Sequence, residues 1–206
     1  MSNDLAIATV TATLKRLLED AVTSHIRGTA ITITVGQPEQ KDTIQENQGK
    51  VNIFLYQVTS NLSWRNADLP TRRSDGRLIQ RPQLALDLHY LLSFYGDKTT
   101  LVSERLMGIV MKTLHAKPIL TQDMIRATVE SVSYLNGSTL ATQPELVKFT
   151  PVSLSLEELS KIWSVLFQTQ YVLSVAYQSS VVLIETDDRP TTNPDVERRN
   201  IQVAPQ

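Results

Sequence analysis

Few residues in this chain have the type and spacing to do chemistry. Asp87 and His89, two apart in LALDLHYLLSFYG, share one face of an extended strand, where a carboxylate can orient an imidazole for general-base work. A general base needs a nucleophile to activate, and no GxSxG or other activated nucleophile accompanies the pair, so a polar face on a half-buried sheet is the stronger reading. His25, His89 and His115 fall in different elements without HxxxH or HxH spacing, and the chain has no cysteine, so a metal site would have to be assembled from distant segments. His115 sits in the last turn of a helix, where an imidazolium meets the negative end of the dipole. Neither GxxxxGK followed by Ser or Thr nor GxGxxG occurs, and the seven glycines are scattered singly, so no phosphate cradle is visible. The expectation is a protein with no catalytic residue, no metal and no cofactor.

The elements that carry these residues are easier to read. In PVSLSLEELSKIWSVLFQTQYVLSVAYQSSVVLIE, residues 151–185, Ser155 and Glu158 have the capping-box form, with Leu154 and Leu159 spaced as a hydrophobic staple. Leu156, Leu159, Ile162, Trp163, Leu166 and Phe167 then recur at helical intervals as the core face. From Tyr171 the period becomes two, and Val181, Val182, Leu183 and Ile184 are apolar on both faces, so this strand must be covered on both sides. Upstream, Asn3 or Asp4 caps a helix running to about His25 on Ala6, Val10, Leu14, Leu17, Leu18 and Ala21. Residues 31–35 and 51–59 read as strands, the second in the middle of the sheet, and 84–95 is the cleanest strand of all. Gly96-Asp97 leads into a helix on Val102, Leu106, Ile109, Val110 and Thr113. Thr121 caps another helix on Met124, Ile125, Thr128, Val129 and Val132, and 145–151 is a further strand. The fold class expected is α+β: a single domain with a mainly antiparallel sheet of about five strands packed with about four helices.

Two segments follow neither period. Residues 60–83, SNLSWRNADLPTRRSDGRLIQRPQ, carry Arg65, Arg72, Arg73, Arg77 and Arg81 against Asp68 and Asp75, a net +3 from 5 − 2 on a chain of formal charge −1. Loops longer than about 12 to 15 residues are uncommon in a compact domain, and this one reads equally as a solvated loop or a partner-binding loop. Trp64 within it either tucks back onto the domain or anchors a partner. A single aromatic is too little for a single-stranded nucleic-acid platform. Residues 186–206, TDDRPTTNPDVERRNIQVAPQ, offer few apolar side chains to bury, Ile201 and Val203 among them, and read as a flexible tail after a 1–185 domain.

With 41% hydrophobic and 20% charged residues and balanced charge, the composition implies no general attraction to nucleic acid or membrane. Cysteine-free chemistry fits the cytoplasm, and neither a signal peptide nor an apolar run of about 18 residues is present.

The wording of residues 151–185, together with LYQVTSNLSWRNADLP (55–70), RPQLALDLHYLLSFYG (81–96) and SERLMGIVMKTLHAKPIL (103–120), resembles a known family. It is similar to the N-terminal domain family of cap, or tail-terminator, proteins of extracellular contractile injection systems, the phage-tail-like machines of the antifeeding-prophage and Photorhabdus virulence cassette type. The resemblance implies a fold like that of phage tail terminators and a structural role. That role is a homo-hexameric ring that ends the inner tube and joins it to the contractile sheath, assembled in the cytoplasm with tube protein and sheath protein as partners. Under that reading the candidate assembly interface is Trp64, Arg65, Leu69, Arg72, Arg73, Arg77 and Arg81, with the tail after Glu185 as a second attachment device. The other class left open is a soluble α+β enzyme or small-ligand-binding domain with no recognisable motif.

Overall fold

The computed structural model describes residues 2–26, 28–38, 48–64, 78–79, 81–166, 169 and 171–187. Strands β1 (Ala30–Val35), β2 (Gln48–Ser60), β3 (Gln83–Gly96), β4 (Ile119–Leu120), β5 (Val147–Val152) and β6 (Ser174–Glu185) form one sheet in the order β1-β2-β3-β6-β5-β4. β1 and β2 are parallel, and every other neighbouring pair is antiparallel. The sheet is therefore the mainly antiparallel one expected, with one strand more. β4 is two residues long, too short to leave a periodic trace in the sequence, and exists because Ile119 and Leu120 line up with Lys148 and Val147. β2 is an inner strand, while β3 and β6 occupy the centre.

Helices α1 (Ala6–His25), α2 (Val102–Ala116) and α3 (Gln122–Ser131) cover one face of the sheet. Val10, Leu14, Leu18, Leu106, Val110 and Leu114 from these helices share a core with Leu88, Tyr90, Leu92 and Phe94 of β3 and Val182 of β6. Where α1 crosses β3, the Tyr90 phenol is within 2.8 Å of the Thr11 hydroxyl. Burial holds the ionisation of that phenol far above the usual tyrosine range, against a smaller opposing effect of the Thr11 bond. α2 can approach the sheet because Gly49 and Gly96 face each other across β2 and β3. A Cβ on Gly96 would stand 2.6 Å from Val102 Cβ.

The opposite face is covered by α4 (Leu156–Val165), whose Leu159, Ile162 and Trp163, with Leu166 just beyond, pack on Phe54, Tyr56 and Leu91. The capping box forms as expected: Ser155 Oγ accepts from the Glu158 N–H at 3.2 Å, and Glu158 Oε2 accepts from the Ser155 N–H at 2.8 Å. The Ser155 N–H and, next, the Ser155 hydroxyl, both donating to Glu158 Oε2, hold the Glu158 carboxyl below its ordinary range. The two-sided burial read in Val181–Leu183 is realised, with Val182 on the helical core and Val181 and Leu183 on the other side.

Several local expectations fail, each for a tertiary reason. Leu156 is 84% exposed, because the packing of α4 on the sheet begins only at Leu159. The N-cap of α1 is Leu5, with no side-chain cap, since Asn3 is committed elsewhere: its amide donates to Gly137 O at 2.9 Å. β6 begins at Ser174, and Tyr171 lies outside it with its ring edge-on to Trp163 at 5.5 Å. Strand β5 starts at Val147, two residues after the expected Glu145. Phe167 lies outside the described residues.

Candidate assembly interface

One end of the sheet holds the described ends of the two segments that follow neither period. β2 runs past its neighbours as a long ribbon with β3, still paired at Ser60 with Leu86. Asn61 then turns the chain. Its N–H donates to Ala85 O at 2.9 Å, its side-chain oxygen accepts from the N–H groups of Ser63 and Trp64 at 3.0 and 3.1 Å, and its amide donates to Asp87 Oδ1 at 2.9 Å. This side-chain-mediated turn aims Trp64 back over the sheet, where it packs half-buried on Ala85, Val181 and Leu183. Of the two orientations open to Trp64, the structure shows the inward one. Its indole supplies the covering that the exposed face of Val181 and Leu183 requires.

Asp87 is thus used to hold Asn61, and His89 Nε2 lies 2.9 Å from the Thr59 hydroxyl. The two residues share a face, as the sequence predicts, but each is partnered by the neighbouring ribbon, and this arrangement stiffens the β2–β3 ribbon at its tip. His25 and His115 end two different helices. Among the described residues no group of three or more His, Asp or Glu side chains could hold a metal ion.

Arg81 Nη1 stands 3.5 Å from Glu185 Oε2 with the arginine about half exposed, a contact of the weak surface kind. The neighbouring backbone is held more firmly, since the Thr186 N–H donates to Pro82 O at 3.1 Å and Gln83 pairs with Glu185. Arg65, Leu69, Arg72, Arg73 and Arg77 lie outside the described residues, as do residues 188–206. Their points of departure are nevertheless fixed. The 60–83 segment leaves from Trp64 and returns at Arg81, and the chain beyond β6 leaves beside Pro82.

The N-terminus completes this end. Ser2 is buried and bridges Ile184 in parallel fashion, its carbonyl accepting from the Glu185 N–H at 2.9 Å. β5 pairs with β6 only as far as Ser180, which leaves the outer edge of Val181–Leu183 without a strand. Gln143 substitutes for one. Its oxygen accepts from the Leu183 N–H at 3.0 Å, and its amide donates to Val181 O at 2.9 Å and Glu145 O at 2.8 Å. Gln143 carries no local signature in the sequence, whereas Asn61, two residues before Ser63, is a turn signal that sequence reading can find.

This fold places the chain among known proteins. The family model described as the Pvc16 N-terminal domain matches residues 9–198. The chain belongs to that family. Among solved structures it is similar to the PVC sheath/tube terminator in the extended state of an extracellular contractile injection system, with a TM-score of 0.60 and 18% identity over 96% of this chain and 64% of that one. It is also similar to the anti-feeding prophage cap, the AFP tube-terminating cap, with a TM-score of 0.55 and 17% identity over 91% of this chain and 59% of that one. The chain spans less than two thirds of the length of either terminator, and at these identities the likeness is one of fold. No curated protein matches the sequence. The family and the α+β architecture expected from residues 51–185 are both as the resemblance implied.

Proposed function

We propose that this chain is the cap, or tail terminator, of a contractile injection particle: a non-catalytic ring protein that ends the inner tube and connects it to the sheath. The observation that carries the proposal is the family match over residues 9–198, joined to a fold shared along nearly the whole chain with a sheath/tube terminator and a tube-terminating cap. A homo-hexameric ring, direct contacts with tube and sheath proteins, and assembly in the cytoplasm belong to the same proposal. No described helix is long and apolar enough to cross a membrane.

The segment 60–83 and the chain after Glu185 serve in this proposal as the attachment device. Their described ends meet at the Pro82–Thr186 contact, which supports their acting together at one end of the sheet. A contact that is weak alone gains strength when a symmetric ring repeats it, and arginine suits bidentate contact with carboxylates on an acidic rim. Because Trp64 faces the sheet, it contributes by fixing where the arginine segment starts, and Leu69 is left as the apolar anchor. The test is electron microscopy of particles assembled with the wild-type chain, without it, with Arg72, Arg73 and Arg77 replaced by Ser, and with truncation after Glu185. Particles lacking the chain should have uncapped tubes of variable length. Normal capped tubes without it would reject the function, and normal capping by both variants would reject the attachment device alone.

A further inference from the structure

A notch away from the 60–83 end has a chemistry of its own. Because β4 is only two residues long, the outer edge of β5 is uncovered beyond Phe149, whose N–H still reaches Pro118 O at 2.7 Å. The resulting cavity of about 590 Å³ lies between the last turns of α2 and the β5–β6 pair. Its floor is the buried Leu114, Phe149 and Tyr177, and its rim carries Lys112, His115 and Lys148, all exposed. No carboxylate lines it, and among the described residues none of these three has an acidic partner.

Three basic side chains around an apolar floor define what fits. We propose that this notch binds an acidic peptide segment of a partner protein, seating one apolar side chain among Met111, Pro118 and Pro151 above the buried floor and directing flanking carboxylates to Lys112, His115 and Lys148. Charge complementarity selects the anionic partner, and the cavity lies within the roughly 300–1,000 Å³ range of clefts that hold a ligand of several groups, larger than one phosphate requires. Recognition runs through side chains, because Pro151 on the rim has no N–H to offer an added strand. Buried Phe149 and Tyr177 present no open ring faces for successive bases, which favours a peptide over nucleic acid. That the partner is another component of the injection particle rests on the cap reading, whereas the binding chemistry does not.

The test uses the full chain and a fluorescein-labelled peptide, Asp-Glu-Phe-Glu-Asp, followed by fluorescence anisotropy at low salt. Saturable binding should weaken at least about tenfold with Lys148→Glu or Lys112→Glu, and remain unchanged with Lys15→Glu on α1, which does not line the notch. The same peptide with Ser in place of Phe should bind the wild-type chain about tenfold more weakly, which keeps the proposal testable even if a variant misfolds. Absence of binding, equal affinity of the Ser peptide, an effect of Lys15→Glu as large as that of Lys148→Glu, or tighter binding of an oligothymidine of equal charge would each overturn it. No peptide binding by a wild-type chain that caps tubes normally rejects the notch alone, and peptide binding by a wild-type chain that caps no tubes rejects the cap reading alone.

Discussion

Replacing Gln143 by Leu should unfold the end of the sheet that Val181–Glu185 form beside Pro82. The side chain is 2% exposed and satisfies the Leu183 N–H and the Val181 carbonyl, two buried groups on an edge that no strand reaches. Leucine is similar in size and leaves both orphaned. Each unsatisfied buried group costs about 1–3 kcal/mol, so the expected loss is roughly 2–6 kcal/mol. For a chain of this length that corresponds to a drop in Tm of about 4–24 °C. The assay is thermal unfolding followed by circular dichroism, with amide hydrogen exchange to localise the change to Val181–Glu185. Asn3→Ala is the control from the same region, because its bonds to Gly137 O and the Thr139 N–H are exposed and should cost less than about 1 kcal/mol. A Gln143→Leu Tm within about 2 °C of wild type, on the scale of that control, would mean that the bridge does not hold β6's edge.

Gly96→Ala should lower stability by about 1–3 kcal/mol, since the new Cβ meets Val102 Cβ at 2.6 Å and Ser103 N, a backbone atom, at 2.9 Å. The loss should be smaller in a Val102→Gly background, which lacks that Cβ, when both pairs are compared by denaturant titration, and an equal loss would place the strain elsewhere. Asp97 accepts from Thr99 and Thr100, which lowers its pKa to about 2. Its folded value lies below its unfolded value, so its contribution is present above about pH 4 and is lost as pH falls toward 2. An NMR titration of the Asp97 carboxyl with a midpoint near the ordinary aspartate value would refute this.

The kind of each long element was legible because it is decided by neighbours in sequence. Ser155 and Glu158 cap α4 across three residues, and the period of two in residues 84–95 fixes which β3 side chains share a face whatever lies above them. The family was legible from the wording of residues 51–185, and the α+β class from the mixture of periods. What sequence leaves open are choices between groups far apart in the chain. Gln143 meets Val181 and Leu183 from 38 and 40 residues away, and Ser2 meets Glu185 from the opposite terminus. Neither position differs locally from an ordinary polar residue. Trp64 is the same case: its type says that it will cover something, but its partners Ala85, Val181 and Leu183 become one patch only when β3 and β6 pair. The basic notch depends likewise on β4 stopping after two residues, a limit set by register against β5. Local periodicity therefore determined the elements, and strand pairing decided which edges were left for side chains, and in the proposal for partners, to complete.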